Sequence, residues 1–318
     1  MNVSVVVPTH NRSAALAETV DSLLNQTRLP EEVLIVDDGP QPQPPEALQR
    51  LRGRGIACTY RHRQPPSLPA SRNLGARLAG GDIVLMLDDD ECLHSDYLQR
   101  LCDLFRLDGP GAVDGIAGRR GEPLPDRGGR LWAAAGRLLG LGRWMPRRRK
   151  ARRADLPEPL RRRLKPLHRV YGGTLALRAG AARAVDVPEM AGYALAEDVA
   201  YSFLALSKLA LYQADELGME HRPGRGGRGS MKERGRIYVT HTTSILRCWG
   251  EPGPGQAVLL AMDLLAQALL HGLWGLGKPG SGNLAFLIGL LEGLARLASQ
   301  WARRELTGAP MECPWPCA

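Results

Sequence analysis

Three stretches near the start of the chain decide the fold: VSVVVPTHNR (3–12), EEVLIVDDG (31–39) and GGDIVLMLDDDE (80–91). Each contains a short run of aliphatic residues that ends in polar or acidic residues. Such runs predict buried strands, and the segments between them carry apolar residues at helical spacing. Strands that alternate with helices form β-α-β units. The pattern therefore predicts an α/β fold with a mostly parallel sheet flanked by helices.

Further strands and helices follow from the same patterns. Predicted strands cover 3–7, 33–36, 56–60, 83–87, 113–117, 171–178 and 209–214. Predicted helices cover 46–52, 70–80, 96–105, 197–208, 242–249, 256–276 and 284–301, with a Gly-rich basic loop over 221–236. The expected organisation is one α/β domain over 1–250, made of a first half (1–117), a basic insert (118–170) and a second half (171–250), followed by a C-terminal apolar helical extension over 251–318.

The composition excludes several classes of protein. With 44% hydrophobic and 24% charged residues among 318, the chain is an ordinary globular protein, not a disordered one. No uncharged apolar run reaches the roughly 18 residues of a standard transmembrane helix, so the C-terminal helices are expected to be peripheral. The N-terminus has no basic lead, and the six cysteines are scattered. We therefore expect no signal peptide and a reducing, cytoplasmic setting.

The net charge of +9 is concentrated in the basic insert, where 17 Arg or Lys stand against four Asp or Glu. The sequence LWAAAGRLLGLGRWMPRRRKARR (131–153) interleaves Trp and Leu with Arg, which is typical of an amphipathic helix on an anionic membrane surface. A solvated basic loop is one alternative. Nucleic acid is another, disfavoured by an aromatic content of only 5%. We expect peripheral membrane contact through 130–165 and 256–301, and no nucleic-acid partner.

Acidic residues follow two of the predicted strands. Asp37 and Asp38 follow the second strand, and Asp88–Asp90 with Glu91 follow the fourth. Ligands bind at the carboxyl ends of the strands in an open parallel sheet. Consecutive buried carboxylates are costly without a cation, so this edge predicts a divalent metal that carries an anionic partner such as a diphosphate. The alternative is that these aspartates only form a turn and cap the next helix.

A second pair of acids, Glu197 and Asp198, opens a predicted helix. One of them could act as a general base, or both could simply be favoured there by the helix dipole, and the residues alone leave the two open. The arginines and lysine of the loop over 221–236 could close over a diphosphate as a cationic lid. A solvated basic loop is the alternative.

Five motifs, taken in order, resemble family-2 glycosyltransferases with a GT-A fold. They are VSVVVPTHNR, EEVLIVDDG, ASRNLGARLAGGDIVLMLDDDE, YGGTLALR and AEDVAYSF, and they cover roughly 1–250 apart from the basic insert. The resemblance implies a nucleotide-diphospho-sugar donor, most commonly UDP-linked, together with Mg²⁺ or Mn²⁺. It also implies inverting transfer by single displacement. On this basis 1–117 is the nucleotide-sugar-binding half and 171–250 the acceptor half.

The resemblance also assigns roles to individual residues. The nucleotide-sugar is expected to lie against Pro8, Thr9, Arg12, Asp37, Asp38, Arg72, Asn73, Asp88 and Asp89, with Gly172 and Gly173 in the loop toward the acceptor. The metal is expected at Asp90, with Asp88 and His221. Asp198 is the expected catalytic base, next to Glu197. Two departures are Pro40, where the family commonly has Ser, and Thr240-His241, where it usually has Arg-Asn.

The expected protein is thus a metal-dependent glycosyltransferase with a saccharide or lipid-linked acceptor, acting in cell-surface polysaccharide or glycolipid synthesis. Its expected location is cytoplasmic, peripheral on the inner face of the cell membrane. One alternative is a nucleotidyltransferase-like enzyme, which would usually carry a Gly-rich basic loop directly after the first strand. Another is a non-catalytic basic binding module, which would leave the five aspartates at two strand ends unexplained. The sugar, the nucleobase and the acceptor stay open at this point.

Overall fold

The computed structural model describes residues 1–42, 46–109, 111–121, 134–135, 150–189, 197–222, 230–249, 254–277 and 280–307. Its strands are β1 Val3–Thr9, β2 Glu32–Asp37, β3 Ala57–His62, β4 Ile83–Met86, β5 Glu91–Leu93, β6 Gly115–Gly121, β7 Leu164–Pro166, β8 Leu175–Arg178 and β9 Leu211–His221. Its α-helices are α1 Ser13–Leu24, α2 Ala47–Gly53, α3 Leu68–Leu78, α4 Tyr97–Leu107, α5 Glu158–Arg161, α6 Ala179–Ala184, α7 Glu197–Lys208, α8 Met231–Trp249, α9 Pro254–Gly277 and α10 Asn283–Thr307. Short 3₁₀ helices cover Arg153–Asp155 and Gly172–Thr174.

The chain divides into two compact units. The first unit comprises 1–123, 147–189 and 204–227, and it contains the sheet. The second unit comprises 124–146, 190–203 and 228–318, and it contains α8, α9 and α10. Helix α7 begins in the second unit and ends in the first. Each unit is described below on its own.

The sheet of the first unit has the strand order β3-β2-β1-β4-β8-β6-β9-β5, and β7 also pairs with β9. The expected parallel arrangement holds for β3, β2, β1 and β4. Beyond β4 the sheet is mixed: β8 runs antiparallel to both β4 and β6, and β9 runs parallel to β6 but antiparallel to β5. The alternation of side chains along a strand is the same in both directions, so the sequence pattern carried no signal for this change.

The apolar run at the N-terminus is nearly continuous because β1, which it forms, is buried along its whole length. All seven of its residues are buried, as expected for a parallel strand covered on both faces. Helix α3 packs so closely on it that a Cβ at Gly75 would overlap the side chain of Val6. Only glycine therefore fits at this position. This close packing fixes the first turns of α3, which carry Arg72 and Asn73, beside the carboxyl end of the sheet.

The described part of the expected basic insert is packed on the first unit. Leu156, Leu160 and Leu164 belong to its hydrophobic core, and β7 pairs with β9. Two of its cations are engaged by acids of β9, Arg163 by Glu216 and Lys165 by Asp215. Most of the Trp- and Arg-rich sequence expected to contact a membrane, 130–133 and 136–149, lies outside the described residues.

Helix α8 corrects one sequence prediction. A loop was expected over 221–236, but the helix begins at Met231, so the prediction is wrong from that residue onward. The backbone N–H of Glu233 donates a 3.2 Å hydrogen bond to Ser230 Oγ. Ser followed three residues later by Glu is a capping-box pattern that the sequence reading overlooked. The glycine-rich part of the loop, 223–229, lies outside the described residues.

The second unit is held together by apolar residues of α7, α8, α9 and α10. Its core contains Val199, Ala200, Phe203, Val239, Ile245, Leu260, Leu264, Phe286 and Leu290. Helices α8 and α10 approach closely because both carry glycine where they meet. A Cβ at Gly289 would fall on the carbonyl group of Lys232, and one at Gly235 would fall on that of Phe286. The apolar helices predicted at 256–276 and 284–301 are thus present as α9 and α10.

Candidate functional site

The carboxyl ends of β1, β2 and β4 bring the predicted polar residues to one edge of the sheet. Thr9, the last residue of β1, lies beside Asp37, the last residue of β2. The N–H of Asp38 donates a 3.0 Å hydrogen bond to the carbonyl of Thr9. The run Asp88–Asp90 begins two residues after the end of β4, the other neighbour of β1. The edge predicted to bind a ligand is therefore assembled from these three strand ends.

Asp89 is buried between Thr9, the last residue of β1, and Arg12, which follows that strand. The hydroxyl of Thr9 donates to its Oδ2 over 2.8 Å, and Arg12 Nη1 donates to its Oδ1 over 3.1 Å. Burial, helped by the neighbouring Asp90 and Asp88 and opposed by Thr9 and Arg12, raises the pKa of Asp89 to about 6. The same Arg12 nitrogen lies 3.2 Å from Asp90 Oδ2. Arg12 thus supplies positive charge to both carboxylates at this edge.

A potential metal site is formed by Asp90, Glu91 and His221. One potential ligand atom from each residue lies within 4.8 Å of the others. The antiparallel pairing of β5 with β9 sets Glu91 opposite His221, and His221 Nε2 lies 3.5 Å from Asp90 Oδ2. Both carboxylates are buried. Two carboxylates and an imidazole suit Mn²⁺ or Mg²⁺, so the residues fit the expected cation.

Asp88 has different partners from the other two aspartates. Its Oδ1 accepts a 2.7 Å hydrogen bond from Arg72 Nη2, and Arg72 is almost fully buried. On the other side, a Cβ at Gly173 would overlap the carboxyl group of Asp88. Gly172 and Gly173 are both buried in the 3₁₀ helix that precedes β8, and Gly173 lets the backbone approach this carboxylate. The cluster of potential metal ligands contains Asp90 and His221 of the expected set, with Glu91 in addition, whereas Asp88 pairs with Arg72.

The two aspartates after β2 hold the adjoining loops in place. Asp37 accepts hydrogen bonds from the N–H of Gly39 (2.8 Å) and from the hydroxyl of Tyr60 (2.7 Å). Asp38 Oδ2 accepts one from the N–H of Ser67 (2.8 Å), and its Oδ1 lies 2.9 Å from the Nδ1 of His10. Tyr60 and His10 carried no signal in the sequence because they meet these acids only when the strands pair.

Two other predicted residues have structural partners. Asn73 binds the backbone of Val187 in both directions: its Nδ2 donates to the carbonyl over 2.9 Å, and its Oδ1 accepts from the N–H over 2.8 Å. Pro8 lies within β1 opposite Val36 of β2. Asn73 thus ties the chain after α6 to the helix that also carries Arg72.

The acids Glu197 and Asp198 form the first turn of α7, in the part of that helix that belongs to the second unit. Glu197 is buried and Asp198 is half-buried. The hydroxyl of Ser202 donates a 2.6 Å hydrogen bond to the backbone carbonyl of Asp198. Carboxylates in a first helical turn are favoured by the helix dipole.

The sequence profile of glycosyl transferase family 2 matches residues 4–177, more than half of the chain. The chain belongs to this family. Glucosyl-dolichyl phosphate glucuronosyltransferase of Haloferax volcanii is 34% identical to this glycosyltransferase over 115 residues, 36% of each chain. The uncharacterized glycosyltransferase EpsJ of Bacillus subtilis is 31% identical over 101 residues, 32% of this chain and 29% of its own length. The chain thus spans only about a third of the length of these relatives.

Solved structures confirm the fold of this family 2 glycosyltransferase. TarS 1–349 of S. aureus superposes with a TM-score of 0.56 at 15% identity, covering 95% of this chain and 82% of TarS 1–349. The mannosyltransferase PcManGT of Pyrobaculum calidifontis, solved with GDP-Man and Mn²⁺, gives a TM-score of 0.52 at 18% identity, covering 96% of this chain and 79% of its own. Both are glycosyltransferases with a central sheet flanked by helices, so the predicted GT-A type of fold and the predicted enzyme class are confirmed.

Proposed function

We propose that this glycosyltransferase moves a sugar from a nucleotide-diphospho-sugar, UDP-linked in the simplest case, to a saccharide or lipid-linked acceptor. The observation that carries the proposal is the cluster of Asp90, Glu91 and His221 beside Arg12, at the sheet edge where Asp37 and Asp38 also lie. Relatives of the same fold have been solved with UDP-GlcNAc and with GDP-Man and Mn²⁺. The family resemblance adds inversion by single displacement, in the synthesis of cell-surface polysaccharide or glycolipid.

The donor site has two groups of residues with different tasks. Asp90, Glu91 and His221 would hold Mn²⁺ or Mg²⁺, which supplies positive charge to the leaving diphosphate. Pro8, Thr9, Arg12, Asp37, Asp38, Arg72, Asn73, Asp88 and Asp89 form or support the nucleotide side. Within that group Arg72 positions Asp88, and Arg12 places a second cation at the same edge. Fixed charges of this kind stabilise a leaving group without reorganising during the reaction.

The acceptor is activated by Asp198 in this proposal. As the acceptor oxygen attacks the anomeric carbon, the bond from that carbon to the diphosphate oxygen breaks, and the hydroxyl proton passes to the Asp198 carboxylate. The assignment is supported by the sequence AEDVAYSF and by the position of Asp198 in the first turn of α7, next to Glu197. A carboxylate at this position is a suitable group to accept a proton.

A lipid-linked acceptor would place the enzyme at the inner face of the cell membrane, in peripheral contact through 130–165 and 256–301. The Trp- and Arg-rich sequence supports this location. In the part of the chain that the structure describes, one helix, residues 257–277, is long and apolar enough to cross a membrane by length and composition. One partial relative is named for a glucosyl-dolichyl phosphate substrate, which is a lipid-linked sugar.

The decisive test is a thermal-shift panel of UDP-, GDP-, dTDP- and CDP-sugars, each with Mn²⁺ and with a chelator. We expect one nucleotide series to raise the Tm only when Mn²⁺ is present, and Asp90→Ala to abolish the shift. No shift of the wild-type protein with any donor would refute the proposed donor. An equal shift with the chelator would refute the metal site and leave the donor assignment standing.

A further inference from the structure

Helix α9 carries only apolar residues on its exposed side, whereas Asp263 and His271 lie among the residues that face its protein neighbours. The exposed residues of this helix whose side chains the structure describes are Gly255, Ala257, Val258, Ala261, Met262, Leu265, Leu269, Leu273, Leu276 and Gly277. None of these is charged or polar. Leu265, Leu273 and Leu276 are 68%, 61% and 73% exposed, so these side chains do not contribute to the core of the second unit.

Two polar residues of α9, Asp263 and His271, face other helices. Asp263 is fully buried, and its Oδ2 accepts a 2.8 Å hydrogen bond from the hydroxyl of Tyr238 on α8. His271 stacks on Phe286 of α10 with 4.0 Å between ring centroids, and its Nδ1 lies 2.8 Å from Asn283 Oδ1. This is the reverse of a helix on the surface of a soluble protein, which presents its polar face to water. It is the arrangement of a helix that faces hydrocarbon, whose polar groups bind neighbouring helices.

Helix α10 extends the same surface and then ends it. Its exposed residues Leu284, Ile288 and Leu291 recur at i, i+4 and i+7. The two helices meet at the turn, because a Cβ at Gly275 would lie 2.6 Å from Leu284 Cγ. We call the exposed surface the apolar face; its large side chains are Val258, Met262, Leu265, Leu269, Leu273, Leu276, Leu284, Ile288 and Leu291. Beyond Leu291 the surface ends at charged residues: Glu292, which pairs with Lys232 of α8, and then the exposed cation Arg296.

The charges around the apolar face distinguish a bilayer from a second copy of the chain. Helices that pair with one another usually carry charged residues beside the apolar seam, and these set the register and the partner. The half-exposed residues of α9 are Leu259, Gln267, Ala268, His271, Gly272 and Trp274, none of which is an acid, a lysine or an arginine. On α10 the half-exposed Glu292 follows Leu291, and its charge is paired with Lys232 of α8. Contact with lipid acyl chains needs no such charged residues, because acyl chains do not pair with a helix in a fixed register. The cation Arg296, at the end of the face, complements the phosphate of lipid headgroups.

We propose that the apolar face lies in the acyl-chain region of a bilayer and anchors this glycosyltransferase by the hydrophobic effect. The helix pair lies along the surface instead of crossing it, because α8 covers the side that carries Asp263. The inference rests on the membrane location proposed above, and not on the donor or the metal site. Of the two segments proposed above to contact the membrane, α9 and α10 would supply the anchoring by burial of apolar surface. Binding should therefore resist salt, which screens headgroup attraction but not burial of apolar surface.

The test is flotation of the full chain with vesicles of phosphatidylcholine alone and of phosphatidylcholine with phosphatidylglycerol, at low salt and at about 1 M NaCl, where screening is nearly complete. The test variant is Leu265→Gln/Leu269→Gln/Leu273→Gln. The matched control is Leu78→Gln/Leu107→Gln, which replaces two leucines of the first unit that are each 40% exposed. We expect the wild type and the control to float with both vesicles at both salt concentrations. The triple variant should float at least tenfold less.

Three results would overturn the inference. Equal flotation of the triple variant would show that the face does not contact lipid, and flotation restricted to anionic vesicles at low salt would show an electrostatic anchor. A wild-type dimer that ignores vesicles and becomes monomeric in the triple variant would identify a second copy as the occupant. The Mn²⁺-dependent donor shift, measured on the same variant, verifies its folding. Loss of that shift in the wild type as well would count against the proposed donor and not against the anchor.

Discussion

At the scale of single residues, the site depends on how buried carboxylates are kept charged. Asp88, Asp89 and Asp90 are consecutive in the chain, yet each has a different environment. Asp88 pairs with buried Arg72, Asp89 accepts from Thr9 and Arg12, and Asp90 lies with the potential metal ligands. This division lowers the repulsion that three adjacent charges would otherwise produce, and it leaves Asp90 as the carboxylate best placed to bind a cation.

The raised pKa of Asp89 predicts a pH dependence of stability. The folded value of about 6 exceeds the value of roughly 4 expected in the unfolded chain, so the folded state binds the proton more tightly. Its contribution to the free energy of unfolding is therefore fully present below pH ~4 and is lost as the pH rises through about 6. We expect the stability of Asp89→Asn relative to wild type to increase between these pH values, measured by urea unfolding with a chelator present. A constant difference would contradict the assigned pKa.

The proposed base is tested by Asp198→Asn. The substitution removes the proton acceptor but keeps the shape of the side chain. We expect donor binding to be unchanged and turnover to fall by roughly 10²- to 10⁴-fold, the usual contribution of general base catalysis. Glu233→Gln is a matched control, because Glu233 is an exposed acid in the first turn of another helix, α8. Near wild-type turnover in Asp198→Asn would show that the base is a different group, and Glu197→Gln would then be the next variant to assay.

At the scale of secondary-structure elements, the 3₁₀ helix before β8 fixes Asp88 from one side. Gly173→Ala would place a methyl group on the Asp88 carboxyl. We expect a loss of about 1–3 kcal/mol in the free energy of unfolding, together with weaker donor binding, because the pair with Arg72 is displaced. The control is Gly180→Ala in α6, where an added Cβ meets nothing within 4 Å. Equal behaviour of the two variants in unfolding and donor titrations would refute the steric argument.

The pairing of β5 with β9 adds Glu91 to the potential metal ligands. Glu91→Gln keeps the size of the side chain but removes its charge. We expect the Mn²⁺ affinity, followed by electron paramagnetic resonance, to fall about tenfold or more, as it does when a group that supports a metal is lost. Glu220→Gln is the matched control on β9, since Glu220 is exposed and pairs with Arg222. An unchanged affinity in Glu91→Gln would remove Glu91 from the ligand set.

At the scale of the whole molecule, the potential metal ligands lie entirely within the first of two compact units. A ligand that binds only folded protein stabilises the part that carries its site. We expect Mn²⁺ at 100 times its Kd to stabilise the first unit by about 2.7 kcal/mol. In calorimetry, if the units unfold separately, only one transition should move, and a chelator should reverse the shift. Movement of both transitions, or of neither, would contradict the placement of the site.

The net charge of the whole chain does not show which of its cations pair with acids of the fold. The basic insert carries 17 Arg or Lys against four Asp or Glu, and this pattern favoured a solvated or membrane-bound segment. In the described part of that insert, Lys150, Arg163 and Lys165 instead pair with acids of the first unit. Leucines between them enter the core. A sequence that alternates leucine with arginine is compatible with a segment on a lipid surface and with a segment packed at the edge of the sheet. Only the tertiary contacts distinguish these two structures.

The sequence by itself determined the strands β1 to β4, the acids at their carboxyl ends and the glycosyltransferase family, because each of these is a local pattern of residues. Tertiary structure decided three further properties: the antiparallel half of the sheet, the meeting of Glu91 with His221, and the outward apolar face of α9. Each of these depends on which distant segment lies alongside. Residues 130 positions apart in the chain, such as Glu91 and His221, carry no local signal for one another until the strands pair.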